Sequence, residues 1–197
     1  MLASQSPRRA EILRQAHIPF RVRVAPEPVD EAVLPGESPV DYVRRLAVAK
    51  ASAILADAQD LVLGADTTVV VDGEILCKPV DHADARRMLT LLSGRSHEVI
   101  TGFCLKQGRD VIISHEITIV WFIEMSSAEI DDYVASDEPM DKAGAYAIQG
   151  GASRFIRRIE GCYFNVVGLP VWHVYNYCRI ITSSIPPITV RPGITTP

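Results

Sequence analysis

The sequence predicts an α/β fold built as one folding unit, and three observations carry that expectation. Segments with apolar residues at helical spacing alternate with short β-branched runs, so both element types occur along one chain. The punctuation between them is local and specific: Ser-Pro and Ser-x-x-Glu starts for helices, Asp-Gly and single-glycine turns for hairpins. The length of 197 residues fills one core or two small lobes, since domains run to roughly 100–200 residues.

Ser6-Pro7 reads as an N-cap with proline at the first helical position, so a helix starts at residue 7 and buries Ile12 and Leu13. Residues 22–38 are rich in Pro, Asp and Glu and lack periodicity; they are a loop. From Val40 to Leu55 the spacing of Val43, Leu46, Val48, Ala51 and Leu55 gives a second helix. Leu61-Val62-Leu63 reads as a strand stopped by Gly64, and Thr67–Val71 as another that turns at Asp72-Gly73 into Glu74-Ile75-Leu76. Asp81–Leu92 is a helix with Ala85, Met88, Leu89 and Leu92 inward. His97–Leu105 and Ile112–Ile123 are strands joined through Lys106–Asp110. Ser126 with Glu129 is a capping box for a helix to about Val134, and Pro170 opens the last helix. Residues 1–181 are expected to form the domain. Residues 182–197, with four prolines and several threonines, are expected to form a flexible tail.

Twenty Lys and Arg against 24 Asp and Glu give a net charge of −4, which supplies no overall attraction to nucleic acid or to an anionic membrane. Any phosphate attraction must be local. Cys77, Cys104, Cys162 and Cys178 have neither CxxC pairing nor regular spacing, as expected of free thiols in a reducing compartment. The start contains no apolar signal-peptide core and no apolar run approaches about 18 residues, so a cytoplasmic protein is expected.

Ser4-Gln5-Ser6-Pro7-Arg8-Arg9 places hydroxyls, two guanidiniums and unpaired amides at a helix start, a combination suited to polyphosphate, although a plain capped helix reads the same way. Asp66 in Gly64-Ala65-Asp66-Thr67 follows an apolar strand, and could activate water or hold a metal ion; a turn aspartate is the alternative. Lys78-Pro79 could bring an ammonium to the same place. In Asp141–Gly151, Gln149 can read a base edge and Tyr146 can pack on a ring or in the core. His17, His82, His115 and His173 are dispersed without metal-ligand spacing, and His97, entering a strand, fits a buried structural imidazole.

The order of these segments resembles the Maf family. Ser-x-Ser-Pro-Arg-Arg, Gly-Ala-Asp-Thr, Lys-Pro, Gly-Arg-x-His-x-Val-x-Thr-Gly at 94–102, Asp-Lys-Ala-Gly-Ala-Tyr-x-Ile-Gln-Gly and Asn-Val-Val-Gly-Leu-Pro carry the likeness across residues 2 to about 181. The resemblance implies a mixed twisted sheet with flanking helices, two lobes around a central cleft, and hydrolysis of a nucleoside triphosphate to monophosphate and pyrophosphate. It implies that Ser4, Arg8, Arg9, Lys50 and Lys78 hold phosphates or neutralise charge, that Glu31 and Asp66 serve a divalent metal (magnesium, manganese or cobalt), and that Asp66 is the proton acceptor. Arg8, Thr67 and Gln149 match the positions that set the dTTP/UTP-preferring branch apart from the branch preferring 7-methyl-GTP. A homodimer is also implied. The family's link to arrest of septum formation leaves a second reading, a nucleotide-sensing regulator of cell division. Two residues depart from the pattern: Gln5 and Cys77 stand where glycine is usual.

Overall fold

The computed structural model describes residues 1–181. The expected tail, 182–197, lies outside the described residues. Helix α1 spans Pro7–Gln15 and α2 Pro39–Ser52; β1 runs Val62–Val71 and β2 Glu74–Leu76. Then follow α3 His82–Leu92, β3 Ser96–Gln107, β4 Asp110–Phe122, α4 Ser127–Val134, β5 Ile156–Glu160, α5 Tyr163–Val167 and α6 Val171–Ile181. Three short 3-10 turns, Glu138–Asp141, Ala143–Ala145 and Gly151–Phe155, occupy the glycine-rich stretch before β5. Among the described residues no helix is long and apolar enough to cross a membrane.

The sheet has the order β2-β1-β3-β4-β5, and all of these pairs are antiparallel. Its mixed character comes from Leu2, which bridges Leu63 and Val22 in parallel as a one-residue sixth strand. Caps and turns fall where local chemistry places them. Asp81 accepts from the Asp84 amide, Ser126 and Glu129 form the reciprocal capping box, and Gly73 and Gly108 adopt positive φ in the two hairpin turns.

Two expectations are corrected. Gly64 does not end a strand: β1 is continuous from Val62 to Val71, and Asp66 lies in its middle. The glycine is required by α2, because a Cβ at 64 would lie 2.2 Å from the Ala47 carbonyl oxygen; at Gly102 on β3 it would meet the Val43 backbone at 2.5 Å. Both glycines let α2 sit directly on the sheet. Leu55 is not on a buried helical face. The helix stops at Ser52 and Leu55 is 92% exposed.

Alternation along β1 divides the core. On one face Leu63 and Ala65 join Phe103, Leu105, Leu13 and Val174 in one cluster, while Val69 and Val71 join Val99, Leu89 and Phe155 in another. Thr67, paired across the strands with Thr101, separates them. On the opposite face, under α2, Val62 with Cys104 and Val70 with Ile100 belong to two further clusters, and Asp66 falls between. The clusters therefore part at the level of residues 66 and 67, where the sheet is polar on both faces.

Candidate active site

The outer edge of β1 is covered at one end by Leu2 and Ala3, which bridge and hydrogen-bond Leu63, and at the other by β2, which pairs from Val69 onward. Among the described residues none pairs with the edge between them. A cleft of about 830 Å³ opens there, lined by the 4–9 segment, the 24–31 loop, Lys50, 66–69, Cys77, Lys78, 141–149 and 166–168. It brings together every residue singled out from the sequence: Ser4, Arg8, Arg9, Glu31, Lys50, Asp66, Thr67, Lys78 and Gln149.

On the α2 side, Lys50 reaches from the last turn of the helix between two carboxylates. Its Nζ lies 2.6 Å from Asp66 Oδ1 and 2.6 Å from Glu31 Oε1. Asp66 is 8% exposed, and this burial raises its pKa above the ordinary carboxylate value; Lys50 and Arg9 oppose the rise without cancelling it, and Glu31 adds to it. Glu31 sits further out. Burial also works against its charge, but the hydrogen bond and charge of Lys50, with Lys78 and Arg9, outweigh it and leave the pKa lowered. The pair thus holds one carboxylate made more basic and one kept ionised. Both are hard oxygen donors, the ligand chemistry a divalent cation takes, and Lys50 draws them together. Among the described residues no third carboxylate, imidazole or thiol joins them as a ligand cluster.

On the other face of β1, α1 presents its first turn. Ser6 occupies the N-cap position, but its side chain makes no cap bond; its own amide donates instead to Ser4 Oγ at 3.1 Å. The first-turn amides of Arg8 and Arg9 are therefore without a side-chain cap, and this is the positive end of the helix dipole. Arg8 is one-third exposed, with Nη1 3.6 Å from Asp141 Oδ2 across the cleft. Arg9 is different. It is buried, and its guanidinium donates from Nε to the Gly168 carbonyl (2.8 Å), from Nη1 to Ser4 Oγ (3.2 Å) and from Nη2 to Thr67 Oγ1 (3.1 Å). Thr67 in turn shares a hydrogen bond with Thr101 Oγ1 at 2.9 Å, and Thr101 donates to the Asn165 carbonyl. Arg9 and Thr67 accordingly tie α1, β1, β3 and α5 together around the cleft floor.

Gln149 is exposed at the rim and Lys78 is exposed beside Cys77. Tyr146 borders the cleft but is buried, its hydroxyl 2.8 Å from His97 Nε2 and its ring edge-on to His97 and Phe122. Burial pushes the His97 pKa down to about 3, so it is a neutral structural imidazole, as its sequence context suggested. The close approaches at the late glycines are internal: a Cβ at Gly150 would strike the Glu138 carboxylate, and one at Gly144 the Val69 side chain. Tyr42, Thr101 and the Gly168 carbonyl also belong to the site, and sequence reasoning missed them. Tyr42 had a signal only as a buried aromatic on α2; the other two act through partners distant in sequence, Thr67 for Thr101 and Arg9 for the Gly168 carbonyl.

The fold and cleft define an α/β protein that sets a cationic, uncapped helix start against a carboxylate pair of which one member, Asp66, is buried. The chain belongs to the Maf family: the family described as "Maf-like protein" matches residues 1–180. A Koribacter versatilis protein named dTTP/UTP pyrophosphatase is 52% identical over 180 residues, covering 91% of this chain and 92% of its own. A Symbiobacterium thermophilum protein of the same name is 54% identical over 172 residues (87% and 88% covered), and one from Bacillus cytotoxicus 48% over 172 residues (87% and 89%).

Proposed function

We propose that this chain hydrolyses dTTP and UTP between the α- and β-phosphates, releasing the nucleoside monophosphate and pyrophosphate. The observation that carries the reading is the opposition, across one cleft, of the uncapped α1 start and the Glu31–Lys50–Asp66 group. Phosphate oxygens are received by the Arg8 and Arg9 amides, Ser4 Oγ and the Arg8 guanidinium, with Lys78 supplying charge from the opposite rim. Arg9 contributes by holding Ser4 in place. Asp66, made more basic by burial, takes the proton of the attacking water, and Lys50, bonded to Oδ1, fixes the carboxylate's orientation. The relatives' names support the pyrimidine preference, and Gln149 at the rim is the side chain suited to read the base.

Glu31 and Asp66 would hold a magnesium or manganese ion, with phosphate oxygens and water completing its shell. When bound, such an ion supplies Lewis acidity at the phosphate oxygens and lowers the pKa of coordinated water. A domain ending near residue 181, a cytoplasmic location and assembly as a homodimer belong to the same reading. A panel of canonical and modified nucleotides with several divalent metals tests it. Pyrophosphate release from dTTP and UTP is expected to lead the panel, and no turnover of any nucleoside triphosphate would overturn the proposal.

A further inference from the structure

The acidic loop that delivers Glu31 has no regular secondary structure, yet its carboxylate reaches Lys50 at 2.6 Å. Two side chains one turn apart on α2 hold its backbone. Tyr42 Oη donates to the Glu31 carbonyl at 3.0 Å, and Arg45 Nη2 donates to the next carbonyl, Ala32, at 2.8 Å. Arg45 also closes the far side of the loop: Nε and Nη2 grip the two Glu37 carboxylate oxygens at 2.6 and 2.8 Å, and Glu37 Oε2 accepts from the Leu34 amide at 3.1 Å. The Arg45 guanidinium lies over the Tyr42 ring, 5.6 Å from its centroid, so the two donors brace each other.

Tyr42 is 4% exposed and packs with Val43, Leu46, Val70 and Ile100, so its hydroxyl is fixed by the core rather than by the loop. Lys50 lies two turns further along the same helix. One rigid element therefore sets both the Lys50 ammonium and the backbone position of Glu31, and the glycines at 64 and 102 seat that element on the strand that carries Asp66. Without the two donors, the backbone around Glu31 keeps, among the described residues, only bonds within the loop, such as Ala32 to Asp30 at 2.9 Å, and its one polar tie to the rest of the fold is the carboxylate's contact with Lys50. A loop without those donors would have to fix the backbone of Glu31 at each binding event, at a cost in conformational entropy.

We infer that Tyr42 and Arg45 are positioning residues that act through Glu31, clamping consecutive carbonyls of the acidic loop so that its carboxylate stands ready beside Asp66. The inference rests on the proposed role of Glu31 toward a divalent cation. It assigns neither residue any contact with substrate.

The test is a pair of double-mutant cycles, Tyr42→Phe and Arg45→Met each made in the wild type and in Glu31→Gln, with Mn2+ binding to the nucleotide-free protein read by electron paramagnetic resonance and pyrophosphate release read separately. Each variant is expected to weaken Mn2+ binding and lower kcat by about tenfold in the wild-type background, the size usual for partners that orient a metal ligand. In the Glu31→Gln background the further loss is expected to stay below about twofold, because the group being positioned has already gone. Arg45→Lys is expected to recover little, since an ammonium cannot grip Glu37 with a planar fork while reaching Ala32. Equal losses in both backgrounds would mean a general structural role and would overturn the inference, as would unchanged Mn2+ affinity in folded single variants. If the wild type released no pyrophosphate, the proposed function would fall while the Mn2+ cycle still decided the positioning claim.

Discussion

Gly64→Ala puts the link between helix seating and chemistry under direct strain. A Cβ at this position would lie 2.2 Å from the Ala47 carbonyl oxygen, 2.6 Å from the Ala51 amide nitrogen and 2.9 Å from the Ala51 Cβ. Restoring the first contact to 3.4 Å requires α2 to withdraw by 3.4 − 2.2, about 1 Å, because the clash is with backbone and no rotamer relieves it. Lys50 lies between these two alanines in sequence, so the 2.6 Å contact with Asp66 opens by a similar amount. Overpacking of this kind costs about 1–3 kcal/mol. For a chain of this length that is a fall in Tm of roughly 3–10 °C. A misplacement of about 1 Å in a reacting group lowers kcat by about a hundredfold. Thermal unfolding by circular dichroism and steady-state pyrophosphate release measure the two effects. A variant with wild-type Tm and kcat would refute the claim that α2 needs contact with bare backbone to place Lys50.

Three further outcomes follow from the geometry. His97 is held neutral by burial, with its pKa at about 3 against 6.5 when unfolded. Below pH 6.5 the unfolded chain takes up a proton that the folded one refuses, so stability falls with pH by about 1.4 kcal/mol per unit toward pH 3. Urea denaturation of the wild type and His97→Gln between pH 4 and 5.5 is expected to differ in slope by nearly that amount, and parallel curves would contradict it. Arg9→Lys leaves at least one of Gly168, Ser4 and Thr67 without its donor, an expected loss of about 1–3 kcal/mol that an unchanged unfolding midpoint would exclude. Gln149→Ala is expected to reduce kcat/KM for dTTP and UTP by roughly 2- to 10-fold, the worth of one hydrogen bond, with a smaller change for CTP; a uniform change would remove Gln149 from base reading.

Much of the fold was legible because its punctuation is local. The Asp81 cap, the Ser126–Glu129 box and the hairpin glycines each act within four residues, and each helix start and turn they mark appeared where expected. Gly64 misled because its reason is tertiary: it permits helix–sheet contact, which resembles a strand end when only sequence neighbours are considered. Strand β5 was invisible for a related reason. Among the described residues it pairs only with the Ile119–Phe122 end of β4, across a register shift between Trp121 and Phe122, and it follows a stretch dominated by glycine and turns.

The candidate site was legible as a set of residues and less so as an arrangement. Ser4, Arg8, Glu31, Lys50, Asp66 and Lys78 do line one cleft. Arg8 and Arg9, adjacent in sequence and alike in chemistry, separate in the structure because a helix turns by about 100° per residue. One guanidinium stays at the cleft and the other is buried in a network with Thr67 and Gly168. The grip of Tyr42 and Arg45 on the acidic loop could not be read from sequence, since both bond to backbone carbonyls that carry no residue signature.

The most direct test of the central claim is the product analysis of dTTP turnover with magnesium, in wild type and Asp66→Asn. The wild type is expected to yield dTMP and pyrophosphate in equal amounts, and Asp66→Asn, isosteric but unable to accept the proton, is expected to lose the rate by at least about a hundredfold. Orthophosphate with dTDP as the product, or an Asp66→Asn variant as fast as the wild type, would contradict the account.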